Sequence, residues 1–132
     1  MRRFGLPPSA EEIEEIARAA LEALPEPFAQ SLGDVELQVE EFADDATLDH
    51  FGIEDPFDLS GLYEGVPLTQ RSVEQSGTLP ERIRLFRRAI LDEWAGGEQP
   101  LERLVVHVLI HEVGHHFGLS DADMHALEDA VS

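Results

Sequence analysis

The spacing of apolar and polar residues predicts helices at both ends of the chain. Apolar residues recur at helical spacing over residues 10–24, directly after Ser9 and Glu12, which have the spacing of a capping box. The next apolar run, residues 28–32, predicts one further turn of helix that Gly33 closes. The first quarter of the chain is therefore expected to be an amphipathic helix followed by a short helical turn.

Three stretches in the middle of the chain have the period of two that is typical of β-strands. They are residues 35–40, 59–66 and 81–87. In the last of them Ile83 and Leu85 face one way and the arginines face the other. Residues 43–58 and 69–79 have no clear period and are rich in polar, glycine or proline residues, so we expect loops there.

The longest apolar pattern begins at Pro100, after a helical turn expected over residues 89–94. It is apolar on more than one side, so this helix is expected to run through the core. Gly118 supplies a left-handed stop, and Ser120 with Asp123 has the spacing of a second capping box. A last helix is expected from about residue 121 to residue 131.

With 132 residues the chain is expected to form one α+β domain over residues 1–132. Its formal charge of −19 would repel phosphate backbones and anionic lipids, so we expect neither nucleic acid nor membrane as partner. Cysteine and lysine are absent, which excludes disulfides, thiolate ligands and Schiff-base chemistry. The basic start is followed by no apolar run, so we expect a cytoplasmic protein without a secretion signal.

One short stretch, HEVGHHFGLSD, has the composition and spacing of a metal site. His111 and His115 are four residues apart, so on a helix their imidazoles lie on one face, within reach of one ion. Glu112 stands beside them, where it can take a proton from metal-bound water. Gly118 allows the chain to turn back so that Asp121 can approach the same ion. The pattern predicts a zinc site.

The third protein ligand has three candidates, Asp121, His125 and His116. Asp121 is favoured because it follows the glycine turn closely. His116 points about 100° around the helix from His115, so we expect it to pack behind the ligands. His125 is expected to hydrogen-bond Asp121 from behind, with direct binding as the alternative. His107 shares the ligand face, but it lies roughly 12 Å along the axis from His115, too far for one ion.

Two further groups have a structural and a functional interpretation. Tyr63 is expected to pack within its strand, with a hydrogen bond to a transition-state oxyanion as the alternative. The arginines from Arg82 to Arg88 are expected to neutralise the acidic surroundings, with a substrate carboxylate as the alternative. His50 lies in a predicted loop and is expected to be solvated rather than to bind a metal.

The H-E-x-x-H-x-x-G-x-x-D pattern resembles the minimal zincin-like metallopeptidases of bacteria, with aspartate where metzincins have a third histidine. The phrases GLYEG at residues 61–65 and HHFGLS at residues 115–120 add to the resemblance, which spans about residues 55–127. It implies an α+β, zincin-like fold in which a small mixed sheet packs on an N-terminal helix and a C-terminal metal-binding helix. It further implies zinc as cofactor, a peptide or protein substrate, Glu112 as general base, and the ligands His111, His115 and Asp121.

The sequence therefore predicts zinc-dependent hydrolysis of peptide bonds by metal-activated water. A rival interpretation is a non-catalytic metal-binding or acidic protein-interaction module, which the charge of −19 supports. A mimic of nucleic acid is supported by net charge alone. An intact Glu112 favours the enzyme.

Overall fold

The computed structural model describes residues 5–26, 28–32, 35–65 and 81–131, with the side chains of Ser31 and His116 excepted. In this part of the chain the elements are α1 (Ala10–Glu22), α2 (Phe28–Ser31), β1 (Glu36–Glu40), α3 (Asp45–Phe51), β2 (Gly61–Glu64), β3 (Arg82–Phe86), α4 (Arg87–Gly96), α5 (Leu101–Phe117) and α6 (Asp121–Val131). The predicted α+β class is confirmed. The helix end predicted at Gly33 and the loop predicted at residues 69–79 lie outside the described residues.

The three strands form one small mixed sheet in the order β1-β3-β2. Strand β1 runs parallel to β3, with Glu36 opposite Arg82, and β2 runs antiparallel to β3, with Gly61 opposite Leu85. Ile83 and Leu85 share one face of β3, as the alternation predicts, and both are fully buried. On the other face of β3, Arg84 and Phe86 are buried as well.

Helices α1 and α5 pack on the Ile83 face of the sheet, and α5 forms the centre of the core. Its side chains with no more than 1% exposure are Leu101, Leu104, Val105, Leu109, Ile110 and Val113. Each such aliphatic side chain contributes roughly 1.5–3 kcal/mol when it leaves water. The prediction that this helix runs through the core is confirmed.

The loop predicted over residues 43–58 is wrong, because α3 and a 3-10 turn, Pro56–Asp58, lie within it. Helix α3 buries only Leu48, so its seven residues show no helical period. Leu48 packs into a second small core with Phe86 and Ala89. A short helix of this kind depends on tertiary packing, which local sequence does not show.

The helix ends that position the motif match the sequence prediction. At the start of α1, the Ser9 hydroxyl accepts the Glu12 N–H over 3.2 Å. Gly118 ends α5 in the left-handed region, with φ 66° and ψ 37°. At the start of α6, the Ser120 hydroxyl accepts the Asp123 N–H over 3.1 Å. None of the helices within the described ranges has the length and apolar character needed to cross a membrane.

Candidate metal centre

Helix α5 carries the two histidines of the motif one turn apart, as predicted. His111 is partly buried, whereas 65% of the His115 side chain is exposed. Burial lowers the pKa of His111, and the neighbouring His107 acts in the same direction. Because a neutral imidazole is the form that binds a metal ion, this environment favours His111 as a ligand.

The carboxyl group of Glu112 lies inside the protein, in a residue that is 8% exposed. Its Oε1 lies 3.6 Å from Nδ1 of His115, and the backbone N–H of Tyr63 donates a hydrogen bond to the same carboxyl group. Burial raises the pKa of Glu112, while His115 and the Tyr63 N–H oppose that rise. A raised pKa makes a carboxylate a stronger base, which is what proton abstraction from water requires.

Strand β2 reaches Glu112 because it approaches α5 closely at a glycine. A Cβ atom at Gly61 would lie 2.8 Å from Cγ1 of Val108, so a larger residue would require either the Val108 side chain or the strand to shift. Tyr63 lies two residues beyond Gly61, about 6.6 Å further along the strand. Glu112 lies four residues beyond Val108, about 6 Å further along the helix. Tyr63 is therefore level with Glu112.

The main-chain groups of Gly61 and Tyr63 lie at the outer edge of β2. Phe86 N–H donates to the Ser60 carbonyl over 2.9 Å. Since bonded and non-bonded positions alternate along an antiparallel pair, this bond leaves Gly61 and Tyr63 facing away from β3. The sequence gives no sign of the Tyr63 contact with Glu112, because every residue other than proline carries the same N–H group.

The third ligand is not fixed by the geometry. Asp121 begins α6, and its negative charge acts on the His111 imidazole. However, no three His, Asp or Glu side chains within the described residues are arranged to hold one ion. His125 is exposed, with Nε2 3.7 Å from Oδ2 of Asp129, and the side chain of His116 lies outside the described residues. The assignment of Asp121 therefore stays a prediction.

The structure places two further side chains beside His111. Nδ1 of His107 lies 2.9 Å from Oε1 of Glu128, and the ring centroids of His107 and His111 are 4.3 Å apart. The four-residue spacing of His107 and His111 is the feature of the sequence that could have predicted the ring contact. Glu128 gave no signal, because its position depends on how α6 packs against α5.

Helix α6 packs against α5 directly over the motif. A Cβ atom at Gly114 would overlap Sδ of Met124 and lie 2.7 Å from its Cγ. Met124 is buried, as is Leu127 one turn further along α6. The glycine inside the motif therefore allows the helix that carries Asp121 to lie close to the ligand helix.

The arginines of β3 and α4 are held by acidic side chains. Arg84 donates to Glu40 over 2.8 and 3.0 Å, to Glu64 over 3.0 Å and to Asp44 over 3.1 Å. Arg87 donates to a further carboxylate over 2.7 Å. The interpretation that these arginines neutralise their acidic surroundings is confirmed.

Tyr63 and His50 have the surroundings that their structural interpretations predicted. The side chain of Tyr63 is partly buried and packs against the main core. His50 is exposed, as predicted, although it lies in α3 rather than in a loop, with its ring edge-on to Phe51.

The side chains around His111 fit a zinc ion in their chemical type. Two imidazoles and a carboxylate, without thiolates, are ligands that zinc takes in catalytic sites. A buried carboxylate such as Glu112 is costly in free energy unless positive charge or hydrogen bonds compensate it. These donor types therefore suit zinc. The described side chains do not, however, bring a third ligand into position beside His111 and His115.

A small mixed sheet packed against a long helix that carries H-E-x-x-H is the architecture of a zincin. The sequence model of the family described as Zincin-like metallopeptidase matches residues 32–131, about three quarters of the chain. The protein belongs to this family, and the resemblance seen in the motif is confirmed. A search of curated proteins finds no match. At the level of the family, the description implies zinc-dependent peptidase activity.

Proposed function

We propose that this protein hydrolyses peptide bonds in a zinc-dependent reaction with Glu112 as the general base. The observation that carries the proposal is the buried Glu112 carboxyl group, which lies next to His115 and accepts the Tyr63 N–H. Membership of the zincin-like metallopeptidase family supports the reaction class.

His111, His115 and Asp121 would hold the zinc ion. When bound, zinc supplies a Lewis acid that lowers the pKa of water and polarises a peptide carbonyl. The lowered pKa of His111 supports its part, because the imidazole stays neutral and able to bind at neutral pH.

Glu112 accepts a proton from the attacking water and then donates it to the departing amine. A carboxyl group can do both when its pKa is closer to neutral, and burial raises the pKa of Glu112 in that direction. The Tyr63 N–H holds the carboxyl group, so its orientation does not depend on the substrate.

The outer edge of β2 supports a peptide as the substrate class. An extended peptide can add to an exposed strand edge through main-chain hydrogen bonds. Within the described residues β2 pairs with β3 alone, and its outer edge lies beside Glu112, which already accepts the Tyr63 N–H. The formal charge of −19 favours peptides with basic side chains over anionic partners. A cytoplasmic location is part of the same proposal.

Glu112→Gln tests the base directly, because the amide is nearly isosteric but cannot accept the proton. We expect peptide cleavage to fall about 10²- to 10⁴-fold while zinc content and fold are retained. Cleavage of a peptide library by zinc-loaded protein, read by mass spectrometry, measures the loss. Glu102→Gln is the matched control, since it makes the same change in the exposed first turn of α5.

Two results would count against the proposal. Cleavage that persists unchanged in Glu112→Gln would show that another group is the base. A wild-type protein that holds zinc but cleaves no peptide would favour the non-catalytic binding module. Elemental analysis of protein purified without added metal provides the first check, and we expect one zinc ion per chain.

A further inference from the structure

His107 and Glu128 make a close contact between two helices beside the candidate metal centre. Nδ1 of His107 lies 2.9 Å from Oε1 and 3.2 Å from Oε2 of Glu128. The Glu128 side chain is 16% exposed, while that of His107 is 43% exposed. A hydrogen bond to a carboxylate with this little solvent contact fixes the orientation of the His107 ring.

The fixed ring of His107 lies against the ring of His111. Their centroids are 4.3 Å apart and their planes are inclined by 50°. Both residues are on the same face of α5, one turn apart, so the first ring covers one side of the second. This contact restricts the side-chain rotamers that His111 can adopt.

Glu128 also belongs to the helix that begins at Asp121. The two residues are seven positions apart on α6, about 10.5 Å along the helix axis. The buried contact of Met124 with Gly114 holds α6 to α5 between them. The His107–Glu128 hydrogen bond adds a second attachment, so it constrains both His111 and the helix of Asp121.

We propose that His107 and Glu128 are a positioning pair that prepares His111 and α6 for metal binding. This inference rests on the proposed function only in taking His111 as a zinc ligand. Neither residue binds the ion: the pair acts through the ring of His111 and through the position of α6. Groups that orient a metal ligand typically contribute about 10- to 100-fold to metal affinity.

The test is a double-mutant cycle on zinc affinity, measured by competition with a chromophoric chelator. We expect His107→Ala and Glu128→Ala each to weaken zinc binding about 10- to 100-fold. The double variant should bind zinc no more weakly than whichever single variant has the lower zinc affinity, because both changes break the same contact. Glu128→Gln should restore most of the affinity, since its amide oxygen still accepts the Nδ1–H of His107.

The matched control is Asp129→Asn, which removes one negative charge from the next position of α6, where 69% of the side chain is exposed. We expect its zinc affinity to equal that of the wild type. A loss as large as that of Glu128→Ala would make the effect one of long-range charge and would overturn the proposal. Circular dichroism and urea unfolding of the zinc-free variants separate a loss of affinity from a loss of fold. If Glu128→Ala is poorly folded, Glu128→Gln against His107→Ala still tests the pair.

Three further outcomes would overturn the positioning role. The first is unchanged zinc affinity in His107→Ala. The second is losses that add fully in the double variant. The third is a His115→Ala variant that binds zinc normally while His107→Ala does not, which would place the ion between His107 and His111. Failure of the proposed function can be distinguished from failure of this inference. A wild type that binds zinc without cleaving peptides still allows every zinc affinity in this cycle to be measured.

Discussion

Acidic side chains gather on both faces of the sheet, but the two groups differ in the source of their positive charge. On the face of β3 that carries Arg84, the guanidinium group is bound by Glu40, Asp44 and Glu64. On the opposite face, along α5 and α6, the basic groups beside Glu128 and Asp129 are the imidazoles of His107 and His125 together with Arg103, which lines the same cavity. An imidazole that binds a metal ion is neutral, so at the proposed ligands His111 and His115 the positive charge would come from the metal.

The comparison shows how one acidic composition serves two purposes. Arg84 is a permanent cation with five donors in a plane, and it is 7% exposed at the centre of its carboxylates. Those partners raise its pKa further above its ordinary value. That cluster is complete without a ligand. The proposed ligands on α5 and α6 have the donor types for a cation that the chain itself would not supply, which is why the first group is structural and the second is the candidate site.

The strongest test of this contrast is Arg84→Met, which removes the internal cation but keeps a long apolar side chain. Three carboxylates would then repel one another without their shared partner. We expect the free energy of unfolding to fall by about 3 kcal/mol, the lower end for a broken buried pair, because Glu40, Asp44 and Glu64 keep 35–58% of their side chains exposed. Urea unfolding of zinc-free protein measures the loss.

Arg82→Met is the matched control for that experiment. Arg82 belongs to the same strand and bonds Glu64, but 36% of its side chain is exposed. We expect a loss below about 1 kcal/mol, as for other exposed ion pairs. Zinc affinity should stay at the wild-type value in both variants. An Arg84→Met protein that unfolds normally but binds zinc weakly would contradict the division between the two groups.

Asp121→Ala makes the corresponding change on the other face. If Asp121 is the third ligand, zinc affinity should fall by more than the about 10- to 100-fold that is typical of a group behind a ligand. Asp121→His should recover binding in part, because it restores a nitrogen donor at the same position. His125→Ala should have a much smaller effect, since His125 is 77% exposed beside Asp129. Normal binding by Asp121→Ala together with weak binding by His125→Ala would reverse the assignment.

Local signals explain which features the sequence predicted. The helical period of α5, the left-handed stop at Gly118 and the cap at Ser120 are each encoded within a few residues, and the structure contains all three. Helix α3 was missed because its burial involves one residue, Leu48, against a distant part of the chain. The Tyr63 and Glu128 contacts were missed for the same reason: each depends on how a second element packs against α5.

The smallest expected effect concerns Asp44, the most exposed member of the Arg84 cluster. Hydrogen bonds from Thr47 and Arg84 lower the pKa of Asp44 from 3.8 to about 2. A carboxyl group whose pKa is lower in the folded protein stabilises the fold above its unfolded pKa, and that contribution is lost as the pH falls through the folded value. The wild type should therefore be more stable than Asp44→Asn above about pH 4, and this difference should shrink as the pH approaches 2. Urea unfolding at a series of pH values measures it, with Asp45→Asn as the control for net charge, and a difference that stays constant down to the lowest pH would show that the Arg84 contact does not hold Asp44 in solution.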